Sequence, residues 1–473
     1  MSKLRAFSRS LFELPRKNSG SVLVLFALAM LGLVLVVGLA IDYSDAMSRK
    51  QQLNTAADAA ALAALGQAES DYVVSKSWGL MQQDAKSAAQ SAFTANAGAL
   101  YALLKQGPTI TIARSGQVVT ANISYQAKSP NYFGGLAHVA NMNLSGSSAS
   151  SMTLPSYLNF YLLLDVSASM GIPSTASEIN RLAAVNPDYL NLYPGGCTIA
   201  CHFTAYKACQ DVNGKTTWCQ GFNLSRTGGN PTNTPVSFCP TPGTSACIQL
   251  RLDAVAYATQ QLIATALSTE ARDNLPNQFG IGLYPFIRWM VPLQAITTNL
   301  TTVETAAPNL TSLIDNGNGA SGGLGSGGTH FENALPAINN VIKTVGDGSN
   351  AAKPKPFVFL VTDGAQDNQY QQNNGSWTGS NHATTLDTTN CDTIKQRGIT
   401  LAVLYVPYVP IPNPTTIWND EDDYANANIP NIPPSLQACA SPGFFFTASS
   451  PGDINNAMQT MFRMAVTTAH LTH

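Results

Sequence analysis

The stretch of sequence that decides the fold reads Phe160-Tyr161-Leu162-Leu163-Leu164-Asp165-Val166-Ser167-Ala168-Ser169-Met170-Gly171. Its first five residues are apolar and lack helical spacing, which predicts a strand buried on both faces of a sheet. Asp165, Ser167 and Ser169 then follow at every second position, so that one carboxylate and two hydroxyls can converge on one point. Oxygen ligands of this kind suit a hard cation such as Mg2+. The stretch therefore predicts a metal site at the end of a buried strand.

Two later segments supply the remaining oxygen ligands. Thr329 follows two glycines and precedes an apolar helical pattern, and the apolar run 357–361 leads into Thr362-Asp363-Gly364. Together with Asp-x-Ser-x-Ser, these segments resemble the metal-ion-dependent adhesion site of von Willebrand factor A domains. The resemblance implies a bound Mg2+, with Mn2+ or Ca2+ as alternatives, and a set of five ligand positions: Asp165, Ser167, Ser169, Thr329 and Asp363.

The same resemblance implies how such a site works. Ser167, Ser169 and Thr329 would give neutral oxygens to the ion, directly or through water. Asp165 and Asp363 would hold waters and hydroxyls in place, and an Asp or Glu carboxylate of a partner protein would take the remaining position. The alternative is a domain of the same fold whose site has decayed to a structural loop.

The overall composition narrows the class of partner. The chain has 473 residues, enough for two or three domains, a formal net charge of -2 and only 11% charged residues. No basic block follows the first apolar segment, which argues against nucleic acid as a partner.

The amino terminus predicts a membrane anchor. Residues 1–18 carry five basic residues and one acid, and residues 19–41 carry no charge and are nearly all apolar. A run of this length spans a bilayer as a helix. A cleaved signal peptide is the alternative, but signal peptides have shorter apolar cores and end in a small-residue cleavage site. We predict a retained single-pass helix in a bacterial inner membrane, with the basic segment cytoplasmic and the remainder periplasmic; delivery to the cell surface stays open.

The segment after the anchor carries a second resemblance. It reads Leu53-Asn54-Thr55-Ala56-Ala57-Asp58-Ala59-Ala60-Ala61-Leu62-Ala63 and is preceded by Gly38-Leu39-Ala40-Ile41-Asp42. With the apolar span, these residues resemble the amino-terminal region of TadG-like proteins, which belong to the tight-adherence (Flp) pilus assembly systems of bacteria. Pseudopilins that are processed by a prepilin peptidase carry Glu five residues after the cleaved Gly. Leu25 stands five residues after Gly20, so the anchor is predicted to stay.

Residues 42–153 predict a pilin-like region made of a long helix and a small antiparallel sheet. Helical character continues from 68 to 97. Residues 109–113 and 118–125 alternate with period two around Ser115-Gly116, which predicts a hairpin. A third strand is expected within 142–148, and the Ser- and Ala-rich residues up to Thr153 are interpreted as a linker.

Residues 156–473 alternate between strand and helix patterns, which predicts an α/β fold with a doubly wound parallel sheet. Helices are expected at 251–268, from Thr329, at 388–396 and at 451–466, and further strands at 279–287, 400–406 and 443–448. Three irregular segments leave the ends of predicted strands, namely 172–248, 365–387 and 407–434. Because loops at the carboxyl ends of parallel strands share one edge, these segments are expected to surround the metal site.

Six of the eight cysteines fall in the insertion 172–248, at positions 197, 201, 209, 219, 239 and 247. In the periplasm this predicts three disulfides within the insertion. Zinc binding by Cys197, Cys201, His202 and Cys209 is the alternative. Cys391 and Cys439 remain and are predicted to pair with each other.

The predicted function is a membrane-anchored, outward-facing, metal-dependent protein-binding or adhesion module of a tight-adherence pilus assembly or secretion system. Its expected partner is another pilus or secretion component, or a host or surface protein, that offers a carboxylate to the metal. An exported hydrolase with a metal-containing site is the alternative. No Ser-His-Asp or Glu-x-x-His pattern stands in the required context, so an enzyme is not expected.

Overall fold

The structure is a computed structural model that describes residues 20–185, 207–210, 216–219, 238–243, 247–313, 323–325, 327–371, 377–379, 383–408, 410 and 419–471. The chain divides into two compact units, and the boundary falls between Leu154 and Pro155.

Two helices form the first layer of the amino-terminal unit, α1 (Gly20–Val73) and α2 (Trp78–Ala97). Helix α1 is long and apolar enough at its start to cross a membrane. The predicted helical region 68–97 is interrupted at residues 74–77, where Ser75 adopts a left-handed conformation with φ of 58°. Beyond the span, the Ala-rich face of α1 is buried through Leu53, Ala57, Ala60, Ala61 and Leu65.

A three-stranded antiparallel sheet forms the second layer, with β1 (Thr109–Ser115), β2 (Val118–Pro130) and β3 (Asn141–Thr153) in that order. The predicted hairpin is confirmed. The predicted linker before Thr153 is wrong, because β3 runs through it and Thr153 pairs with Val118 at the far end of β2. Strands pair through hydrogen bonds between backbone groups. Because β2 is long, it can pair with all of β3 even though the Ser- and Ala-rich sequence of β3 shows little apolar pattern.

The second unit contains twelve strands and eight α-helices among its described residues. The strands are β4 (Leu158–Asp165), β5 (Lys207–Gln210), β6 (Thr216–Cys219), β7 (Phe279–Phe286), β8 (Gln294–Thr297), β9 (Lys355–Thr362), β10 (Ala365–Gln366), β11 (Tyr370–Gln371), β12 (Trp377–Thr378), β13 (Thr384–Thr385), β14 (Thr400–Tyr405) and β15 (Phe445–Thr447). The helices are α3 (Ala176–Val185), α4 (Arg251–Arg272), α5 (Leu300–Ala306), α6 (Phe331–Val341), α7 (Thr389–Gln396), α8 (Asn419–Asn428), α9 (Ile432–Cys439) and α10 (Pro451–Leu471).

The main sheet has six strands in the order β15-β14-β9-β4-β7-β8. Five of them are parallel, and the predicted doubly wound α/β fold is confirmed. The sheet is mixed rather than wholly parallel, since edge strand β8 pairs antiparallel with β7. The connection between these two strands is too short for a crossover, which needs a dozen residues or more, so the chain reverses as a hairpin.

Alternate residues of the central strand β4 belong to two hydrophobic cores, one on each face of the sheet. Phe160, Leu162 and Leu164 pack on the face covered by α4 and α10, whereas Tyr161 and Leu163 pack on the face covered by α6, α7 and α9. This explains the unbroken apolar run, because a strand with helices on both faces has no polar side.

The insertion after the first strand begins with helix α3, which the sequence did not predict. Its Glu178 is fully buried and accepts hydrogen bonds from the backbone N–H groups of Gly243 and Gln249, each at 2.8 Å. A disulfide links Cys239 to Cys247 in the last part of the insertion. The other two disulfides predicted in the insertion, and the alternative zinc site, involve side chains that lie outside the described part of the structure, so both stay predictions. These side chains are Cys197, Cys201, His202, Cys209 and Cys219.

The predicted disulfide between Cys391 and Cys439 is confirmed. Both cysteines are fully buried in the core beneath α7 and α9. The bridge spans 48 residues of sequence, which include strand β14.

Replacing Cys391 and Cys439 together with Ala is expected to lower the free energy of unfolding by about 4 kcal/mol, the chain-entropy value for a loop of this length. The Cys239→Ala, Cys247→Ala pair is the control, since its separation is only 8 residues. It should cost less, about 2–3 kcal/mol. Denaturant unfolding measures both, and equal losses would contradict the role of loop length.

Candidate metal centre

The central strands bring the two predicted carboxylates together. Strands β4 and β9 are parallel neighbours in which Leu164 pairs with Val361, so the residues that end them, Asp165 and Thr362, lie side by side. The chain leaves β4 for β7 on one side and returns to β9 on the other. Ligands bind at such a reversal of strand order in open α/β sheets.

Asp165 is held rigidly at this edge. It is almost fully buried, and its Oδ1 accepts a hydrogen bond from the backbone N–H of Ser167 at 2.9 Å. Its Oδ2 accepts a hydrogen bond from the Thr362 hydroxyl at 2.6 Å. The same Thr362 oxygen accepts from the Gly364 N–H at 2.9 Å, so one hydroxyl joins the two strand ends.

The two serines lie next to each other. The hydroxyl oxygens of Ser167 and Ser169 are 3.2 Å apart, and a single turn of 3-10 helix begins between them at Ala168. Ser167 is buried and Ser169 is partly exposed. The alternating pattern therefore places two neutral oxygens together beside Asp165, as the sequence predicted.

Thr329 reaches the same edge through its backbone. It exchanges hydrogen bonds with Asp367, which follows Asp363 by four residues, and the next N–H, of His330, donates to the carbonyl of Ile287 just beyond β7. Gly328 makes this approach possible: its φ is 65°, and a Cβ there would lie 2.2 Å from the Asp367 carbonyl oxygen. Helix α6 begins at Phe331, two residues later than predicted.

Asp363 has an unusual environment. The side chain is fully buried, yet neither carboxylate oxygen has a hydrogen-bond partner of good geometry among the described residues. The turn that follows Asp363 requires glycine at position 364. Gly364 has a φ of 79°, and a Cβ there would lie 2.5 Å from Ile432 Cγ2. A buried carboxylate left without donors is costly unless a charge compensates it.

The two carboxylates oppose each other's ionisation. Burial, and then the charge of Asp165, raise the pKa of Asp363 to about 7, while the Ser169 hydroxyl and the charge of Arg251 act in the opposite direction. Burial also raises the pKa of Asp165, against the hydrogen bonds from Ser167 and Thr362. A cation between such groups removes this penalty, because it favours the ionised form of both.

Arg251 is the residue at this edge that the sequence did not single out. It opens helix α4, is 8% exposed, and has a buried Nη1 without a hydrogen-bond partner in the described part of the chain. Burial lowers the pKa of its guanidinium, and the charge of Asp363 opposes that shift. A basic residue in the first turn of an amphipathic helix is common in sequence, so only the structure shows that it lies near Asp363.

The donor set fits a hard divalent cation. It consists of two buried carboxylates and neighbouring hydroxyls, all oxygen atoms, which is the ligand preference of Mg2+. No group of three or more His, Cys, Asp or Glu suited to a metal occurs among the residues that the structure describes.

Parts of the predicted loops lie around this edge. The segment after Asp363 forms two short ladders, β10 with β13 and β11 with β12. Tyr370 on β11 lies under the guanidinium of Arg288 at 3.3 Å, and the same group lies 4.8 Å from the Trp289 ring. Most of 407–418, in the third predicted loop, lies outside the described residues, and the segment beyond it forms α8 and α9.

Comparisons with solved structures find pilus proteins among the similar chains. The SpaC pilus adhesin of Lactobacillus rhamnosus GG aligns with 76% of this chain at 10% identity and a TM-score of 0.34, and the chain spans 34% of its length. The von Willebrand factor domain of the type V pilus tip protein Mfa5 of Porphyromonas gingivalis aligns with 67% of this chain and 97% of its own, at 11% identity and a TM-score of 0.34. The PilB minor pilin of Streptococcus sanguinis aligns with 76% of this chain and 78% of its own, at 10% identity and a TM-score of 0.31.

No curated protein matches the sequence. A protein-family model does match residues 20–68, and its description is putative Flp pilus-assembly TadE/G-like. The match falls on the apolar span and the Ala-rich face of α1, the same residues that carried the resemblance in the sequence. Residues 20–68 are therefore similar to TadE/G-like pilus-assembly proteins, and they precede a separate α/β unit that begins at Pro155.

Proposed function

We propose that this protein is a membrane-anchored, outward-facing module that binds another protein through a divalent metal ion in a tight-adherence pilus assembly or secretion system. The observation that carries the proposal is the pair of buried carboxylates at the carboxyl ends of β4 and β9. Neither oxygen of Asp363 has a hydrogen bond of good geometry in the described structure, and the nearby Ser169 hydroxyl and Ala365 N–H only partly offset burial and the charge of Asp165. An arrangement that is unfavourable alone becomes favourable around a cation.

The proposed ligands of Mg2+ are Ser167, Ser169 and Thr329, supported by Asp165 and Asp363. When bound, the ion would supply an electrophilic position for a carboxylate from the partner. The chain's own residues set up that position: Thr362 and the Ser167 N–H orient Asp165, Gly364 aims Asp363, and the partly exposed Ser169 leaves access from solvent.

The surface next to the site supports a protein partner. Trp289 is 46% exposed and stacks with Arg288, which also covers Tyr370. Trp, Tyr and Arg are the side chains most enriched in the energetic centres of protein interfaces. A cation stacked between two rings is also pre-organised to meet an acidic partner.

The hydrolase alternative has no free histidine at this edge among the residues that the structure describes. His330 is the histidine next to Thr329, and both of its ring nitrogens are engaged, Nδ1 with Glu332 at 2.7 Å and Nε2 with the Gln369 carbonyl at 3.2 Å. General-base catalysis needs a nitrogen within reach of the substrate proton. We therefore propose binding rather than catalysis.

The anchor belongs to the same proposal. The exposed apolar start of α1 would cross the inner membrane, with the basic residues before it in the cytoplasm. A periplasm-dependent reporter fused after Thr153 should then be active, and one fused near residue 15 inactive.

Calorimetric titration of the detergent-solubilised protein with Mg2+ and Mn2+ tests the metal site. One ion per chain is expected, with uptake lost on adding a chelator. An Asp347→Asn variant is the matched control, because Asp347 is exposed and precedes β9 at the opposite edge of the sheet. Absence of uptake by the wild-type protein would contradict the proposal.

Replacing Arg251 with Met is expected to strengthen Mg2+ binding, because the change removes a positive charge that faces Asp363 while it keeps much of the buried stem. A gain of about tenfold or more in affinity is expected, which is about 1.4 kcal/mol and only a fraction of the about 4 kcal/mol that a unit charge pair about 4 Å apart is worth at an effective dielectric constant of about 20. The metal-free variant should unfold more easily, since the carboxylates lose a neighbouring cation. Arg272→Met, on the exposed last turn of α4, should leave both quantities unchanged. Weaker binding in Arg251→Met would contradict this.

A further inference from the structure

The loop between β2 and β3 packs against α1 at the level where the apolar span ends. Residues 132–139, called here the 132–139 loop, include a short 3-10 helix and follow β2 directly. Phe133 lies against Gly38, which is inside the uncharged stretch, and the backbone of the loop binds Asp42, the first charged residue after that stretch.

Gly38 is required for this contact. A Cβ at position 38 would lie 2.6 Å from both Cβ and Cγ of Phe133, closer than packed side chains approach. Gly32, two turns earlier on the same helix, has nothing within 4 Å of the same hypothetical atom. The loop therefore touches α1 within its apolar span, and only a residue without a side chain permits it.

Asp42 satisfies the backbone of the loop. Its carboxylate is buried and accepts hydrogen bonds from the N–H groups of Tyr132, Phe133 and Gly134, at 2.8, 3.0 and 2.6 Å. Two further N–H groups, of His138 and Val139, donate to carbonyls inside the loop. Irregular backbone is tolerated at membrane depth only when its polar groups are bonded in this way.

The exposed side chains of the loop suit a lipid surface. Tyr132 is 70% exposed and Val139 is 50% exposed, and Tyr43 on α1 is 57% exposed beside Asp42. The sequence carries no Lys, Arg, Asp or Glu between Lys128 and Asp165. Tyrosines are enriched at the membrane–water interface, where the ring lies among lipids and the hydroxyl reaches polar groups. The Tyr132 hydroxyl lies 3.5 Å from the guanidinium of Arg49. Arg49 follows Asp42 on α1 and is therefore further from the apolar span.

We propose that the 132–139 loop is a second membrane contact, seated in the outer interface of the bilayer beside the anchoring helix. This inference rests on the proposed function, in which α1 anchors the protein in the membrane. Its Phe133 contacts α1 at Gly38, within the apolar span. About 20 residues of helix before Asp42 span about 30 Å, the thickness of the hydrocarbon layer. Two contacts instead of one fix the depth and rotation of α1, and so hold the three-stranded sheet at a set height above the membrane.

Site-specific photocross-linking in the membranes of cells that make the full-length protein tests this. A benzophenone amino acid at Tyr132 should form adducts with phospholipid, recognised by their mass and by removal with phospholipase. The same amino acid at Leu80 is the control, because Leu80 is 53% exposed but lies at the start of α2, near the end of α1 that is roughly 45 Å along the helix from Asp42. Adducts to protein alone at Tyr132, no adduct, or equal lipid adducts at both positions would overturn the proposal.

A second pair of variants tests the packing. Gly38→Ala should displace Phe133 and reduce the lipid adduct at position 132, whereas Gly32→Ala adds the same methyl group and should leave it unchanged. If both substitutions changed the lipid adduct at position 132 equally, the contact between Phe133 and Gly38 would not be what seats the loop in the membrane. The mass of the intact protein reports separately on the anchor: if residues 20–41 are absent, the anchor and this inference both fail. If they are present and Tyr132 forms no lipid adduct, only this inference fails.

Discussion

Asp165→Asn is expected to abolish divalent-metal uptake while the protein keeps its fold. The substitution removes one of the two buried charges that would attract the ion. A unit charge pair about 4 Å apart is worth about 4 kcal/mol at an effective dielectric constant of about 20, and a divalent ion doubles this, so affinity should fall by at least about 100-fold. Capture of a metal-dependent partner should be lost with it.

Asn is the informative replacement at this position. A carboxylate at the edge of a loop would ordinarily be expected to tolerate Asp165→Ala without loss of the fold. In the structure Asp165 is 1% exposed and accepts two hydrogen bonds, so Ala would leave buried donors unpaired at a cost of about 1–3 kcal/mol each. Asn can accept from the Ser167 N–H and donate to the Thr362 oxygen.

Titration calorimetry with Mg2+ and a denaturant unfolding curve in chelator check the result together. The unfolding midpoint of metal-free Asp165→Asn should match or exceed that of the wild type, because one of two mutually repelling charges is gone. If the variant takes up metal as the wild type does, the site lies elsewhere. If it unfolds much earlier, the loss of uptake would instead reflect a damaged fold.

Asp363→Asn is expected to stabilise the metal-free protein above pH 7 and to reduce the loss of its stability between about pH 4 and about pH 7. The pKa of Asp363 is raised to about 7 in the folded protein, from an ordinary value of 3.8. The folded state therefore binds this proton more tightly than the unfolded state. The contribution of Asp363 to the stability of the metal-free wild type should be fully present below about pH 4, fall as the pH rises to about 7, and level off above that range.

With saturating Mg2+ the trend should reverse, because metal binding requires the ionised carboxylates and so strengthens as the pH rises. Unfolding midpoints at pH 5 and pH 8, in chelator and in Mg2+, give the four values needed. Asp347→Asn, the same chemical change on an exposed carboxylate, should keep the wild-type pattern. A metal-free wild type that is equally stable at both pH values would show that Asp363 is not the strained group described here.

The sequence by itself determined the architecture and the composition of the candidate site. The apolar runs 160–164 and 357–361 could only be strands covered on both faces, and the polar residues that follow them had to lie at one edge of a parallel sheet. The disulfide between Cys391 and Cys439 was also predictable, since the other six cysteines cluster in one insertion. These features depend on local pattern and chain order, which the sequence displays directly.

Tertiary structure alone decided the features that depend on distant partners. Strand β3 is long because β2 is long, and β8 is antiparallel because its connection is short. The buried guanidinium of Arg251 and the buried carboxylate of Asp363 beside Asp165 follow from how the start of α4 and the end of β9 pack. Likewise Asp42, an ordinary acid after an apolar span in the sequence, binds three N–H groups from residues 132–134, about ninety positions away. Electrostatic environment is set by every group within several ångströms, and nearness along the chain does not reveal those groups.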